Sequence, residues 1–544
     1  MKKEKISINT YLKMVIKKKF NRRFFLFSLD NYFFIYDNKT QVIYKVNGAL
    51  YKLFFQKSIL KILLKYPKFF KKIFLSKFRK LEIHDNFNCN ITLNYTNKCN
   101  LDCKYCYRDK NDINELSDLQ ITQIIDYIIN VYNPTAKRYS IAPSFTSESS
   151  IDCDRLLLID KVLAMNEGYY YSTAFYNDTD IRTIYDSIPE SIKNKYIIGN
   201  TTYIAQLNRI MENEDLATLF NVKNDETIFN ELSLSYRVKT NRKILDSIFP
   251  QYSNKLTKEI SMGFMTNGTN ITKEYIQFLK SRFINSIYVS IDGTKEIHDG
   301  MRINKNGQGS YNKVVEGIKK LQDNDIKVVG AFVVTSLHPD IYNITSYLIS
   351  LNVDKVSFNL VRGNNSYSHF SKQQLNTLIK SSKKVYNKFY LEYKENKYIF
   401  TYVLRDSFFI RILIDLYQKR FVLNRCNFSN NLAIDSKGNC YHCHSTIGCK
   451  NDYLGNIFSN NITAKKTNLT LSVETDNDCK NCFAKYLCGG KCYSDVYNNN
   501  FDNNKSECYF RKNTIIIAIK FFTSLLLKNE AIDFMENILR INKS

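Results

Sequence analysis

Three cysteines fall within eight positions of the chain, in the stretch NKCNLDCKYCYRDK at residues 97–110. Cys99, Cys103 and Cys106 are separated by three and then by two residues. Three soft thiolate ligands are one short of the four that close a structural zinc site or complete an iron–sulfur cluster. This segment is therefore expected to form a loop that gathers the thiols, and that either recruits a fourth ligand or leaves one metal position open.

The cysteine loop stands in a region where strand and helix patterns alternate. CNITLNY, residues 89–95, predicts a strand before the loop, and a helix capped by Ser117 is predicted over 117–131. Such alternation specifies parallel strands joined by crossover helices, and these folds carry their chemistry at the C-terminal ends of the strands. Further strands are predicted at 139–146, 259–265, 285–291, 326–334 and 355–360, and further helices at 152–166, 272–281, 310–323 and 340–351.

The CxxxCxxC spacing after a strand resembles the signature of the radical S-adenosylmethionine (SAM) superfamily. The resemblance implies that Cys99, Cys103 and Cys106 hold a [4Fe–4S] cluster, with Tyr105 beside the cofactor and SAM on the fourth iron. It also implies a partial (β/α)6 barrel and reductive cleavage of SAM to a 5′-deoxyadenosyl radical that takes hydrogen from the substrate. A closed zinc site is the alternative, with Cys89 as its fourth ligand.

Two further strand ends extend the resemblance. SIAPSFTSESS, residues 140–150, stands where the family usually carries Gly-Gly-Glu; Glu148 remains, while Thr146 and Ser147 replace the glycines. Loss of glycine restricts how closely the backbone can approach a ligand.

The stretches at 263–272 and 286–321 resemble the next parts of the same cofactor site. GFMTNGTNIT and SIYVSIDGTKEIHDGMRINK carry an asparagine, then a serine, an aspartate and an arginine in the family's order. The resemblance implies that the following residues contact SAM: Ser147, Glu148, Asn267, Ser290, Asp292 and Arg302.

The segment 421–512 holds nine of the fourteen cysteines. Their order, Cys-x11-Gly-x4-Cys, then Cys-x2-Cys-x5-Cys-x3-Cys and a final cysteine, resembles a SPASM domain, which binds two auxiliary [4Fe–4S] clusters in peptide-maturing radical SAM enzymes. A zinc ribbon is the alternative. The resemblance implies one cluster on Cys479, Cys482, Cys488 and Cys508, and another on Cys426, Cys443 and Cys492.

The second of these sets lacks an obvious fourth cysteine upstream of Cys426. Either Cys440 or Cys449 completes it, or one iron is open to a substrate thiolate. With the SAM-binding cluster, the implied cofactors are SAM and three [4Fe–4S] clusters, and the implied electron donor is a ferredoxin or a flavodoxin.

The first 80 residues carry 21 Lys or Arg and 3 acidic residues, a net charge of +18 within a chain total of +26. Such a segment attracts an anionic partner or forms a solvated surface. Strands predicted within 24–47 and a cationic helical region at 49–74 weakly resemble the leader-binding module of ribosomal peptide maturases. We therefore expect a precursor peptide with an acidic leader as partner, no nucleic acid, and peripheral membrane contact through 49–74 as the competing account.

The N-terminal twenty residues have no uninterrupted apolar stretch and no cleavage site, and IIIAIKFFTSLLL at 515–527 is too short to span a bilayer. The expected location is the cytoplasm, where many cysteines indicate metal or redox chemistry. The expected domains are a basic module (1–85), a radical SAM partial barrel (86–365) with an insertion near 176–256, a helical linker (366–420), a SPASM domain (421–515) and a C-terminal helix (516–544).

These features predict a radical SAM maturase that forms a thioether or another intramolecular cross-link in a ribosomally made peptide. The alternatives are a formylglycine-generating enzyme of the anaerobic sulfatase-maturing type and a non-catalytic iron–sulfur peptide-binding protein. The sulfatase-maturing enzymes carry an aspartate base directly after the cysteine of the Gly-x4-Cys element. His444 stands at that place here and is the candidate base.

Overall fold

The computed structural model describes residues 23–56, 59–74, 88–107, 114–132, 136–143, 147–165, 169–171, 185–186, 188–196, 206–207, 209–210, 213–214, 258–282, 284–362, 366–426, 431–459, 462, 472–497 and 501–543. Thr146 and most of the predicted insertion at 176–256 lie outside the described residues.

The strands are β1 (Phe24–Leu29), β2 (Tyr32–Asp37), β3 (Val42–Val46), β4 (Asn88–Leu93), β5 (Arg138–Pro143), β6 (Tyr169–Tyr171), β7 (Lys258–Met262), β8 (Met265–Thr266), β9 (Ser286–Ser290), β10 (Lys327–Val334), β11 (Lys355–Leu360), β12 (Asn431–Ile434), β13 (Asn439–Tyr441) and β14 (Gly455–Asn456).

The α-helices are α1 (Gly48–Phe55), α2 (Ile59–Lys65), α3 (Pro67–Phe74), α4 (Asp118–Tyr127), α5 (Cys153–Met165), α6 (Glu190–Lys195), α7 (Lys273–Ser281), α8 (Lys295–Met301), α9 (Tyr311–Gln322), α10 (Ile341–Ser350), α11 (Lys372–Glu395), α12 (Ile399–Val403), α13 (Phe408–Gln418), α14 (Lys485–Cys488), α15 (Tyr493–Tyr497), α16 (Phe501–Leu527) and α17 (Ala531–Lys543).

Parallel strands form the centre of the molecule. One sheet has the order β14-β13-β12-β4-β5-β7-β6 and the other has the order β11-β10-β9-β8. Within them β12, β4, β5, β7 and β6 run parallel, as do β8 to β11. The predicted α/β class with parallel strands is confirmed, and the carboxyl ends of neighbouring strands meet at one edge of each sheet.

The two sheets meet at a bend between β7 and β8. Gly263 N donates to Ile141 O at 2.9 Å in one sheet, while Tyr288 N donates to Phe264 O at 2.9 Å in the other. The single strand predicted at 259–265 is thus divided, because the chain changes sheet at these two residues. The bend delivers Thr266 and Asn267 to the same end of the structure as the cysteine loop after β4.

The crossover helices bury one face each against these sheets. Helix α4 begins with the predicted cap, where Ser117 and Gln120 form a reciprocal capping box. Helix α9 buries Val314, Ile318 and Leu321 together with Gly317. A methyl group on Gly317 would stand 2.1 Å from Gly268 O, so glycine is what allows this helix to approach the turn after β8.

The N-terminal strands form an antiparallel sheet with the order β1-β2-β3. One face packs on α1 to α3 through an apolar cluster that includes Phe24, Ile35 and Phe54. The other face contributes Phe27 and Tyr36 to the main core. The strands and helices predicted at 24–47 and 49–74 are therefore present, and their sheet is covered on both faces.

The N-terminal sheet contacts the C-terminal cysteine region. The rings of Phe25 and Phe483 stack with centroids 4.6 Å apart. Asn38 Nδ2 donates to Cys482 O at 3.5 Å, and Gln41 Nε2 donates to Arg420 O at 2.6 Å. These contacts join the N-terminal sheet to the C-terminal cysteine region.

The C-terminal cysteine region extends the first sheet. Strand β12 pairs in parallel with β4, and β13 and β14 continue the sheet outward. Helix α16 then runs through the predicted domain boundary at 515/516 and ends at Leu527. Within the described ranges, no helix has both the length and the apolar character that crossing a membrane requires.

Replacing Gly317 with alanine should destabilise the protein by about 1–3 kcal/mol, because the new methyl group would overlap a backbone oxygen that cannot move away cheaply. Gly300→Ala in α8 is the matched control, since a methyl group there meets no atom within 4 Å. Urea unfolding of both variants checks this. Equal stabilities would contradict the close helix–turn contact.

Candidate active site

One cavity of about 380 Å³ collects most of the residues singled out in the sequence. Its walls come from the ends of the parallel strands and from the loop after β13. The predicted residues that line it are Cys99, Cys103, Tyr105, Cys106, Ser147, Glu148, Asn267, Ser290, Arg302, Cys443, His444 and Cys492.

The cysteine loop is fixed against the segment that follows α8. Lys104 N donates to Met301 O at 2.9 Å, and Asp102 N donates to Ile303 O at 2.8 Å. Burial raises the pKa of Cys103 to about 11; the Arg302 charge opposes this shift, and the Cys106 and Cys99 thiols add to it. The three thiols are thus close enough to influence one another, and cation binding would favour their thiolate form.

Three thiols on the wall of one cavity form a donor set that fits an iron–sulfur cluster. Among the described side chains, no three His, Cys, Asp or Glu residues are arranged to hold a single metal ion, whereas a cluster binds each thiolate at a different iron. Cys89, the alternative fourth ligand, is fully buried in β4 and belongs to the main apolar core.

Glu148 is a buried carboxylate that ties the end of β5 to the end of β8. Thr266 Oγ1 donates to its Oε1 at 2.5 Å, and Asn267 N donates to its Oε2 at 2.6 Å. The backbone and side chain of Ser150 donate to Oε1 as well. Burial raises the pKa of Glu148, and these hydrogen bonds oppose that rise.

Asn267 links the same strand end to the cysteine loop. Its Nδ2 donates to Asn100 Oδ1 at 2.7 Å and lies 3.9 Å from Cys99 Sγ. Its Oδ1 accepts from the backbone N of Thr269 at 3.0 Å. Asn100 was not predicted as a site residue; its position directly after the first cysteine was the available signal.

Arg302 lines the cavity and forms a buried ion pair with Asp292. Its Nε lies 2.9 Å from Asp292 Oδ2, and Tyr105 Oη donates to the same oxygen at 2.5 Å. Val333 N also donates to Asp292, at 3.1 Å. Burial raises the pKa of Asp292, but the Arg302 charge outweighs this and the pKa stays below its ordinary value. Asp292 thus holds two cavity residues, Arg302 and Tyr105, in place from behind the cavity wall.

His298 supports this loop and was not found from the sequence. Asp292 N donates to its Nδ1 at 3.3 Å, so the proton is on Nε2, which lies 2.9 Å from Ser310 Oγ. Ser310 Oγ in turn donates to Arg302 O at 2.7 Å. Burial, with the Arg302 charge second, lowers the pKa of His298 to about 4. The neutral ring is what this hydrogen-bond chain requires.

Another part of the cavity wall comes from the C-terminal region. Cys443, His444 and Cys492 line it, together with Arg362. Burial, with the Arg362 charge second, lowers the pKa of His444 to about 4. The imidazole is therefore neutral at pH 7, and the lowered pKa makes it a weaker proton acceptor than an ordinary histidine.

Arg362 is held by two acidic side chains. Its Nη1 lies 2.7 Å from Asp495 Oδ2 and 3.7 Å from Glu507 Oε2. The second of these carboxylates also pairs with Arg425, at 2.5 Å. Arg362 was missed in the sequence; it follows the end of β11 by two residues, which was the available signal.

The cysteines predicted as auxiliary-cluster ligands form two groups. We call the group that contributes to the cavity wall the inner group, and the other the outer group. In the inner group, Cys443 interacts electrostatically with Cys492 and Cys426. In the outer group, Cys508 interacts with Cys488 and Cys482, and Cys479 interacts with Cys488. The inner group is thus Cys426, Cys443 and Cys492, and the outer group is Cys479, Cys482, Cys488 and Cys508.

Cys440 and Cys449 occupy different surroundings. Cys440 is fully buried in β13 and belongs to the main core. Cys449 packs with Cys443 against Tyr493 and Tyr497. Of the two candidates for a fourth inner ligand, Cys449 is therefore the one on the side of the inner group.

Comparison with known proteins identifies a domain within the chain. Residues 225–341 match the model of the Radical SAM superfamily. The cysteine-type anaerobic sulfatase-maturating enzyme of Clostridium novyi (strain NT) is 36% identical over 98 residues, covering 17% of this chain and 25% of that protein. The serine-type enzyme of Bacteroides thetaiotaomicron is 29% identical over 168 residues, covering 30% and 34%.

Among solved structures, native anSMEcpe with bound AdoMet aligns with a TM-score of 0.50 and 15% identity, over 79% of this chain and 98% of that one. This likeness concerns the fold. The chain spans about a quarter to a third of the length of the curated relatives it matches. It contains a radical SAM domain and is homologous to anaerobic sulfatase-maturating enzymes, as the sequence predicted.

Stability should fall as the pH drops from about 6.5 to about 4, in part through His298. In the unfolded state the imidazole of His298 binds a proton near pH 6.5, whereas in the folded state it does so only near pH 4. Acid therefore favours unfolding, by up to about 3 kcal/mol for each such group. The loss should level off below about 4.

Urea unfolding over this pH range measures the effect. His298→Gln should flatten the pH dependence, and His369→Gln, at an exposed position, is the matched control. An unchanged slope in His298→Gln would contradict the neutral, buried histidine.

Proposed function

We propose that this chain, which contains a radical SAM domain, uses SAM to modify a side chain of a ribosomally made peptide. The observation that carries the proposal is the shared cavity. The triad Cys99, Cys103 and Cys106 lies on one wall, and Cys443 and His444 lie on another. A substrate side chain between these walls would meet both the SAM chemistry and a proton acceptor.

The triad would hold the [4Fe–4S] cluster, and SAM would lie against Glu148, Asn267, Ser290 and Arg302. When bound, the cluster and SAM supply reductive cleavage to a 5′-deoxyadenosyl radical, with an electron from a donor such as ferredoxin or flavodoxin. Arg302 offers a fixed positive charge for the SAM carboxylate, because its ion pair with Asp292 positions the guanidinium.

The Glu148 carboxylate retains an accepting position for the SAM amino group. Among the described residues, its Oε1 accepts from Thr266 and Ser150, whereas its Oε2 accepts only from Asn267 N. A carboxylate oxygen has two acceptor positions. The existing hydrogen bonds thus orient the carboxylate without occupying both acceptor positions of Oε2.

The inner cysteine group supports thioether formation as the reaction. Cys426, Cys443 and Cys492 would provide three ligands for an auxiliary cluster, which would leave one metal position for a substrate thiolate. Forming a thioether joins a cysteine sulfur to a carbon and releases the thiol proton, one C–H hydrogen atom and one electron. The 5′-deoxyadenosyl radical would take the hydrogen atom, His444 would take the proton, and the inner auxiliary cluster would supply the acceptor for the electron.

Cys449 is the residue on which this preference depends. Its packing beside Cys443 makes it the nearer candidate for a fourth ligand, while the burial of Cys440 in the core argues against that residue. With Cys449 bound to the cluster, no position would remain for a substrate thiol, and the thioether preference would fail.

Formylglycine formation is the second candidate. Two matching relatives are sulfatase-maturating enzymes, and the neutral His444 can serve as the base that oxidation of a cysteine or serine needs. The cavity would accept either substrate, because both reactions begin with hydrogen removal from a carbon next to the SAM site.

A cytoplasmic location stays a prediction from the sequence.

The N-terminal sheet is the proposed docking site for the peptide. Strand β3 lies at an edge of its sheet, and Lys45 and Lys72 lie over the rings of Tyr32 and Tyr44. An extended acidic peptide could pair with β3 through backbone hydrogen bonds while these lysines meet its carboxylates. Exposed lysines on the adjoining helices α1 to α3 extend the positive surface: Lys52, Lys61, Lys65, Lys68 and Lys71.

The triple substitution Cys99→Ala, Cys103→Ala and Cys106→Ala tests the chemistry. Anaerobically reconstituted protein should carry about twelve irons per chain if three clusters form, and the variant should lose about four. Release of 5′-deoxyadenosine under dithionite should stop. Cys153→Ala, in α5, is the matched control and should keep both. Stoichiometric zinc with little iron would contradict the cluster assignment.

Lys45→Glu with Lys72→Glu should weaken binding of an acidic peptide encoded beside this chain, by up to about fivefold for each exposed charge. The effect should shrink with added salt, since exposed charges are screened over about 10 Å at 0.1 M. Lys313→Glu with Lys319→Glu, which makes the same charge change at two exposed positions of α9, is the control. Isothermal titration measures the affinity; equal affinities would rule out β3 as the docking edge.

The reaction product separates the candidate functions. A thioether makes the peptide lighter by two hydrogens and protects one cysteine from alkylation, whereas formylglycine introduces an aldehyde that reacts with a hydrazide. Mass spectrometry after each treatment reads the outcome. Cys449→Ala should leave iron content and thioether yield unchanged; loss of inner-group iron in that variant would overturn the open-position argument.

A further inference from the structure

Arg511 makes a direct contact with one thiol of the outer cysteine group. Its Nε lies 3.3 Å from Cys488 Sγ, and its Nη2 donates to the carbonyl of the same residue. The guanidinium lies 3.9 Å above the ring of Phe408 and is only 7% exposed. The Phe408 ring and the hydrogen bond to the Cys488 carbonyl therefore fix this donor toward the sulfur, rather than leaving it mobile in solvent.

Other cations surround the outer group. Arg411 Nη2 donates to Leu487 O at 3.3 Å and to Cys488 O at 3.4 Å, which places a second guanidinium at the same turn without a bond to sulfur. Lys512 interacts electrostatically with Cys482 and Cys508, and Lys491 interacts with Cys479 and Cys508. Arg411 also pairs with Asp415, and Lys491 pairs with Asp476 and Asp478, so the excess of positive charge comes from Arg511 and Lys512.

The inner group lies among charges of both signs. Arg362 pairs with Asp495 at 2.7 Å and Arg425 pairs with Glu507 at 2.5 Å. Asp452 adds a third carboxylate near Cys443. The two cysteine groups of one region thus face electrostatically different surroundings, with an excess of cations around the outer group and an excess of carboxylates around the inner one.

We propose that Arg511 raises the reduction potential of the iron–sulfur cluster at the outer cysteine group, so that this cluster is reduced more readily than the inner one. An N–H bond to a ligand sulfur and nearby positive charge stabilise the reduced form, which carries one more negative charge. Burial strengthens both effects because screening by water is weak there. The inference rests on the cluster assignment made under the proposed function.

Potentiometric titration of the full chain, reconstituted anaerobically and followed by EPR, tests the inference. The signal lost in Cys479→Ala with Cys482→Ala identifies the outer cluster. At the wild-type midpoint potential, Arg511→Gln should raise the oxidised-to-reduced ratio of that cluster at least tenfold, equivalent to about 59 mV for a one-electron couple. The inner signal should shift less.

Arg411→Gln is the matched control, because it removes the same charge beside the same turn but no bond to sulfur. It should shift the outer potential less than Arg511→Gln does. Equal shifts in the two variants, or no shift in Arg511→Gln, would overturn the role assigned to the N–H···S contact.

A measurement on the wild-type protein covers the case in which Arg511→Gln does not fold. With ¹⁵N-labelled arginine, the reduced outer cluster should show a nitrogen hyperfine coupling that is lost in Arg511→Lys, whose stem keeps the packing on Phe408. Absence of the coupling in the wild type overturns the inference alone. Iron content unchanged by Cys479→Ala with Cys482→Ala would instead overturn the cluster assignment beneath it.

Discussion

Backbone hydrogen bonds between β12 and β4 hold two distant parts of the chain side by side. Their parallel register pairs Asn431 with Asn90 and Ile434 with Leu93, and Asn94 N continues the pairing by donating to Ile434 O at 2.9 Å. The cysteine loop follows directly after β4, and Cys443 follows β13, which pairs antiparallel with β12. The pairing of β12 with β4 thus attaches the C-terminal cysteine region to the strand that precedes the triad. Both regions contribute residues to one cavity.

Buried charge gives that cavity its shape. Asp292 and Arg302 lie in a site almost closed to solvent, where an unpaired charge would be costly. The pair persists because Tyr105, Val333 N and the two guanidinium nitrogens share the carboxylate oxygens. His298 and Ser310 then fix the backbone on either side. Such a network holds one arrangement of side chains, since any change leaves a buried polar group without a partner.

The cysteine pattern in the sequence allowed a more direct prediction of the kind of chemistry than of the geometry of the site. The predicted strands at 326–334 and 355–360 match β10 and β11 within one residue, because buried parallel strands are nearly continuous apolar runs. The strand predicted at 259–265 was divided instead, since nothing in its local pattern records a change of sheet. His298, Asn100 and Arg362 were missed because their roles come from partners that lie far along the chain or across a loop.

The sequence by itself determined which atoms are available: the triad thiols, the ordered polar residues at the strand ends and the cysteine spacing of the last third. These signals are local, and they survive without knowledge of the fold. Only the tertiary structure decided which of them meet. It placed Asp292 behind the cavity wall, brought His444 into the same cavity as the triad, buried Cys440 in the core and set Arg511 against Cys488. The reason is that burial and proximity arise from pairing between segments hundreds of residues apart, which no local pattern encodes.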